Sequence, residues 1–315
     1  MNLQTTINYL ILNIITSFVC LNTSLGQNTL FYNSPAIPGT EILTKTLEKK
    51  FVQESLPIGN GRLGAMFNGG IGTEIIVVND ITLWTSTKRG QSEVAQSGTR
   101  MGVGKDLETV REAYRQGKYG TKPGSMEEMS TKYLVSKEKL GNYSTFTEVY
   151  IKTGHNAEKA KNYRRELDIK KSIGSVSYTI DNTKYTREYF CSYPNDAIAM
   201  RYKAENGKLK LNIGTTTRHI VETLKAQNNQ ITLHGKYRLK NEEGGFSQII
   251  KIDAGNGKIT SNENNTLEVS ETDEVIIYLA GCTDYLPIYP TFKGKDYKKE
   301  VNETISQLVL SLIHI

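Results

Sequence analysis

Ile198-Ala199-Met200-Arg201-Tyr202-Lys203-Ala204-Glu205-Asn206-Gly207-Lys208-Leu209-Lys210-Leu211-Asn212-Ile213 is the stretch that decides the fold class. Ile198, Met200, Tyr202 and Ala204 alternate with polar or small residues, and after Asn206-Gly207 the alternation resumes at Leu209, Leu211 and Ile213. A period of two puts one set of side chains on one face of an extended strand. Asn-Gly tolerates positive φ at both central turn positions, so the segment reads as two strands joined in a type I′ hairpin.

The same pattern extends in both directions. Val176-Tyr178-Ile180, then Asp181-Asn182, then a strand from Tyr185 give a second hairpin. A third strand pair flanks Asn228-Asn229, and a fourth flanks Gly255-Asn256-Gly257, between Ile250-Ile252 and Ile259. Val275-Ile276-Ile277-Tyr278-Leu279 is a continuous apolar run, the signature of a central strand buried on both faces. Strands recurring with short turns from Leu30 to Leu279 indicate an all-β protein, a large two-sheet antiparallel β-sandwich rather than a βαβ fold. The 18 tyrosines against one tryptophan suit half-wet pleated surfaces.

Two short helices interrupt the strands. Leu107, Val110 and Tyr114 keep helical spacing, with Asp106 placed to cap the start and Gly117 to end it. Ser125-Met126-Glu127-Glu128 fits a capping box, followed by Met129, Tyr133 and Leu140 near one face. Residues 85–105 are polar and rich in Gly and Ser, which reads as a long surface loop. Leu286 to Tyr297 reads as a connector, and a C-terminal helix from Tyr297 to Leu310 is expected to have no partner in this chain. The last six residues, Leu310 to Ile315, resemble the translation of a transposase adaptor used in sequencing libraries, so His314 is set aside.

Composition narrows the function. The chain has 315 residues, 37% hydrophobic and 23% charged, with a net charge of +6. Its charges are interspersed and make no basic stripe with aromatic platforms, so no nucleic-acid partner is expected. Tyr9 to Leu21 is apolar but too short and too interrupted to span a bilayer, and no later stretch is long enough. Small residues Ser24 and Gly26 before Gln27 complete a secretory signal peptide over residues 1–26, implying export to the periplasm or the medium. Cys20 leaves with that signal, and Cys191 and Cys282 read as buried free thiols. His155, His219 and His234 lack metal-ligand spacing, so neither a metal nor a cofactor is expected. The carboxylate pairs Glu127/Glu128, Glu242/Glu243 and Asp273/Glu274 read as a helix start or polar turns.

The densest motif is Ser55-Leu56-Pro57-Ile58-Gly59-Asn60-Gly61-Arg62-Leu63-Gly64-Ala65-Met66. It is not a phosphate loop, because no Lys-Ser/Thr follows the glycines and no strand–loop–helix context surrounds them. Gly59-Asn60-Gly61 reads as a tight turn using positive φ and leading into a strand from Leu63 to Phe67. Glu74, the apolar run Ile75 to Val78, and Asn79-Asp80-Ile81-Thr82-Leu83-Trp84 follow. Together these runs resemble the N-terminal module of glycoside hydrolase family 95. The resemblance continues in Tyr163-Arg164-Arg165-Glu166-Leu167-Asp168, Tyr185 to Phe190, Ser192-Tyr193-Pro194-Asn195-Asp196 and Cys282-Thr283-Asp284-Tyr285, and covers about residues 30 to 300 in order. It departs at Phe146 to Ile151, where that family has a glycine-aspartate-leucine strand.

This resemblance implies a galactose-mutarotase-like supersandwich over residues 27–285, with residues 286–309 beginning a linker and residues 310–315 a non-native tail. It also implies an exo-acting inverting hydrolase of α-L-fucosides, sometimes of α-L-galactosides, acting on glycans. Inversion needs a general acid and a general base ~6.5–9.5 Å apart. In that family they lie in an α/α toroid following the sandwich, so the toroid is the expected partner and no residue here is assigned as catalytic. Asn60, Arg62, Asn79 and Trp84 are the candidate substrate-proximal or interdomain residues: amides, a bidentate donor and a stacking ring. Their structural reading is that Asn60 and Asn79 satisfy backbone groups in turns, Arg62 pairs with a carboxylate such as Asp80, and Trp84 packs between domains. The competing functions are a stand-alone carbohydrate-binding sandwich and a purely structural docking module.

Overall fold

The computed structural model describes residues 28–37, 45–84, 102–120, 122–133, 143–238, 243–288 and 291–311. The expected signal peptide, most of the expected 85–105 loop, Leu140, Glu242 and most of the expected non-native tail lie outside the described residues.

In chain order the elements are β1 (Thr29–Tyr32), α1 (Lys45–Glu54), β2 (Leu56–Gly59), β3 (Leu63–Phe67), β4 (Thr73–Asp80), α2 (Leu107–Arg115) and α3 (Met126–Tyr133). Then come β5 (Thr147–Lys152), β6 (Lys161–Asp168), β7 (Ile173–Ile180), β8 (Thr183–Ser192), β9 (Ala197–Glu205), β10 (Leu209–Thr216) and β11 (Ile220–Gln227). The last are β12 (Gln230–Arg238), β13 (Glu243–Asp253), β14 (Lys258–Ser261), β15 (Leu267–Thr272), β16 (Glu274–Thr283) and α4 (Tyr297–Ser311).

These strands build two antiparallel sheets. One has nine strands in the order β1-β6-β7-β8-β9-β16-β13-β12-β11, the other seven in the order β14-β15-β10-β5-β4-β3-β2. The expected all-β, two-sheet supersandwich is therefore what the chain forms. The continuous core between the sheets includes Phe67, Val78, Phe146, Ile151, Ile198, Leu233, Ile250 and Leu279. Phe67 and Tyr189 stack across it with ring centroids 4.3 Å apart.

Two of the four expected hairpins form. β7 and β8 pair from Ile180↔Thr183 around Asp181-Asn182, and β11 and β12 pair from Gln227↔Gln230 around Asn228-Asn229. The other two turns are corrections. β9 lies in the nine-stranded sheet and β10 in the seven-stranded one, so Asn206-Gly207 is a crossing between sheets, as is Gly255-Asn256-Gly257 between β13 and β14. The reason is competition for partners. β16, apolar on both faces, inserts between β9 and β13, pairing Tyr202↔Val275 on one side and Ile252↔Ile277 on the other. Turn chemistry reverses the chain but does not choose which sheet the next strand joins.

Period-two burial explains the helices outside the sandwich. On β4, Ile76 and Val78 point into the core, while Ile75 and Val77 point outward and pack with Phe51 of α1 and with Ile37. Helix α1 was not anticipated, since its apolar stripe is short. On β16, Tyr278, Ala280 and Cys282 point outward under Val301, Ile305 and Leu308 of α4. The C-terminal helix thus has a partner within the chain, contrary to expectation: the outward half of an apolar strand needs a cover. Asp106 does not cap α2 through its side chain, because a 3-10 turn at Gly104–Asp106 precedes the helix. Ser125 Oγ accepts from Glu128 N at 3.4 Å, but the Glu128 carboxylate reaches back to Gly124 N rather than Ser125 N.

The sheet margins share a pattern. β1, β2 and β14 have four residues each, and β2 carries Pro57. Among the described residues β11 is the one long edge, and its register shifts between Val221 and Thr223. Among the described residues no helix is long and apolar enough to cross a membrane.

Candidate functional site

The Gly59-Asn60-Gly61 turn closes the β2–β3 hairpin, with Gly59 paired to Gly64. Gly61 has φ +98°, which only glycine adopts readily. Asn60 holds the turn from within: its Oδ1 accepts from the backbone N–H of Arg62 at 3.0 Å and of Leu63 at 2.8 Å. Its Nδ2 donates to Ser192 O and to Asp196 Oδ1, both at 2.9 Å, tying the hairpin to the β8–β9 turn on the other sheet.

Arg62 uses each of its donor positions differently. Nε donates to Asp196 Oδ2 at 2.5 Å, Nη1 to Asp80 Oδ2 at 2.5 Å, and Nη2 to Gly281 O at 2.8 Å. Gly281 lies on β16, where a Cβ would come within 2.5 Å of the Phe146 ring. Asp80 is fully buried and its other oxygen accepts from Thr82 N at 2.8 Å and Thr82 Oγ1 at 2.6 Å. Thr82 Oγ1 in turn meets Thr283 Oγ1 at 2.5 Å. Burial pushes the Asp80 carboxyl above its ordinary range, and Arg62 and Thr82 oppose that push without cancelling it. Arg62 is also lowered by burial, but the two aspartates outweigh it and hold the guanidinium charged.

A second polar cluster is sealed inside the sandwich. Glu74 of β4 accepts from Arg187 Nη1 at 2.8 Å, from Tyr189 OH at 2.7 Å and from Tyr202 OH at 2.7 Å. Arg187 also donates to Gly70 O, Ile71 O and Tyr178 OH, and His155 Nδ1 meets that phenol oxygen at 3.0 Å. Burial pushes the Tyr189 and Tyr202 phenols well up, reinforced by the adjoining Glu74 carboxylate, so both remain donors. The third buried carboxylate among the described residues, Asp284, accepts from Tyr237 OH at 2.8 Å and lies 3.7 Å from Lys293. Each of the three is matched by a cation and hydroxyl or phenol donors, an arrangement that fixes charge in place.

The four sequence candidates therefore separate. Asn60 and Arg62 share one knot around Asp80 and Asp196. Asn79 pairs with Gly64 on the neighbouring strand, and the alternation of β4 sets it on the opposite sheet face from Asp80. Trp84 stands at the margin, 47% exposed, beside Tyr143. Asp196, Thr283, Glu74 and Arg187 had no assigned role. The signal was present, since Tyr185–Phe190, Ser192–Asp196 and Cys282–Tyr285 are runs of the resemblance, and they converge on these two clusters. Cys191 and Cys282 are free thiols, both pushed up to about 12 by burial.

Fold and clusters define a class: a large antiparallel supersandwich stitched across its two sheets by buried ion pairs. The chain belongs to the family described as glycosyl hydrolase family 65, N-terminal domain, whose model matches residues 30–287. It is 26% identical over 255 residues to "Alpha-L-fucosidase 2" of Arabidopsis thaliana, covering 74% of this chain and 29% of that protein. It is 23% identical over 246 residues to "Probable alpha-fucosidase A" of Aspergillus niger (strain ATCC MYA-4892 / CBS 513.88 / FGSC A1513), covering 75% and 29%. A solved structure titled "Putative kojibiose phosphorylase from human microbiome" aligns with a TM-score of 0.47 at 10% identity, covering 90% of this chain and 35% of that one. The alignments thus span less than a third of each curated relative's length.

Proposed function

We propose that this chain is the N-terminal sandwich of an exported, inverting glycoside hydrolase of the family 95 type, acting on α-L-fucosides or the related α-L-galactosides of glycans. The observation that carries the reading is the likeness to two fucosidases across about three-quarters of the chain, together with the family match over residues 30–287. Hydrolysis with inversion requires an acid and a base facing one another across a sugar-sized gap. The buried carboxylates here are instead closed into ion pairs, so we place the bond-breaking pair on an α/α toroid domain of a longer polypeptide. In this reading the Asn60–Arg62–Asp80–Asp196 knot fixes the end of the sandwich that faces that domain, with Asn79 and Trp84 at its border.

The test is a comparison of two proteins on an aryl α-L-fucoside. The chain of residues 1–315 releases no fucose, while the polypeptide translated from the genomic reading frame past codon 309 releases it with inverted anomeric configuration. Turnover by the shorter protein, or retention by the longer, overturns the assignment.

A further inference from the structure

Trp84 is the chain's single tryptophan, and it stands half in water on a turn that is otherwise locked. Ile81 N donates to Arg62 O, Leu83 N donates to Asp80 O, and the Leu83 side chain is fully buried in the core. The indole N–H donates to Ile81 O at 3.1 Å, which fixes the ring's orientation without covering it. A backbone bridge joins Trp84 to Tyr143, a residue also 47% exposed, whose ring lies 5.9 Å away, inclined at 57°. Partial burial and the nearby Asp80 carboxylate raise the Tyr143 phenol, so it stays a donor.

Trp84 on its locked turn, bridged to Tyr143 of another segment, is a pre-organised surface, because little freedom of the indole remains to be lost on binding. Their size selects the class of ligand. Aromatic side chains offer roughly 150–250 Å² each, far below the ~800 Å² per partner of a standard protein interface. A pyranose fits: its C–H face is apolar enough to lie on an indole, and its rim of hydroxyls can pair with a phenol.

We propose that Trp84 and Tyr143 form a saccharide-contacting platform, with the sugar ring against the indole and a sugar hydroxyl on Tyr143. The choice of a glycan ligand rests on the proposed function, and the experiment separates the two. With one tryptophan in the chain, emission excited at the red edge of the indole band, where the 18 tyrosines do not absorb, reports on Trp84 alone. The full chain is titrated with an α-L-fucosyl galactoside, with a maltooligosaccharide, and with sorbitol as a polyol lacking a ring. The expected result is a saturable change in emission with at least one saccharide and none with sorbitol, and reduced iodide quenching at saturation. Tyr143→Ala, shown to be folded by circular dichroism, binds about tenfold more weakly, and Tyr143→Phe, which keeps the ring and loses the hydroxyl, binds about threefold more weakly.

Saturation by the maltooligosaccharide alone supports the platform and counts against the fucoside reading. Absence of a saturable response in the unaltered chain, unchanged iodide quenching, or full binding by folded Tyr143→Ala overturns the platform. If the longer polypeptide also releases fucose, the proposed function stands while this inference falls.

Discussion

Arg187 of β8 and Glu74 of β4 form an ion pair of 2.8 Å from opposite sheets, with side chains 2% and 0% exposed. Glu74 also accepts from the Tyr189 and Tyr202 phenols of the opposite sheet, so its oxygens bind the sheets at one register. Removing one partner leaves a buried charge uncompensated. Glu74→Gln is expected to lower unfolding free energy by about 3–5 kcal/mol, since a single amide oxygen cannot replace two carboxylate oxygens serving Arg187, Tyr189 and Tyr202. Denaturant titration of Glu74→Leu, Arg187→Leu and the double variant measures the coupling. A double variant that loses the sum of the two single losses contradicts a cooperative pair.

Arg62 reaches three acceptors from three different nitrogens, a geometry that an ammonium cannot reproduce. Arg62→Lys is expected to cost about 2–3 kcal/mol, because Asp80 is wholly buried and loses its fork partner. The check is the urea midpoint of the purified variant. A loss within error of zero shows that the knot does not hold the two sheets together.

Histidine titration gives the chain an acid-side limit. Burial is the first cause that lowers His155, His219 and His234 below the ordinary 6.5, with Arg187 adding to it at His155 and Lys298 at His234. A depressed folded-state value means that the unfolded chain binds protons first as pH falls. Their contribution is present above 6.5 and is lost as pH drops through the lowered folded values. Unfolding midpoints measured between about pH 8 and pH 5 should decline below 6.5, and His155→Gln should flatten part of that slope. A midpoint rising toward acid in that window contradicts the assignment.

Helix α4 covers the outward face of β13 and β16 through Val301, Ile305 and Leu308, each 4% exposed or less. Leu308→Ala is expected to destabilise by about 2–5 kcal/mol, read as a lowered melting temperature. An unchanged melting temperature shows that the helix contributes no packing.

The sheet architecture was legible because alternation is a direct record of burial: Ile198, Met200 and Tyr202 face the core as their spacing requires. Partner choice was not legible. Asn206-Gly207 reads identically whether its strands pair or part, and only the arrival of β16 some seventy residues later decides. Helix α1 escaped for a related reason, since Phe51 gains its meaning from Ile75 on another element. At the site, Arg62 with Asp80 could be anticipated from short separation along the chain. The motif run marks Asp196 but not its pairing with Arg62, and Gly281 carries no mark at all, because both come from the opposite sheet.

The margins of the two sheets bear on the solution behaviour of the chain. Among the described residues three of the four boundary strands are four-residue stubs, one of them carrying a proline that cannot donate to a neighbouring ladder. The fourth, β11, is kinked by its register shift and lined with Glu222 and Lys225, which a like strand from another molecule would have to accommodate. Sixteen strands would offer ample template for fibril growth if their rims were long and flat. These short or kinked rims disfavour edge-to-edge growth between copies of the chain.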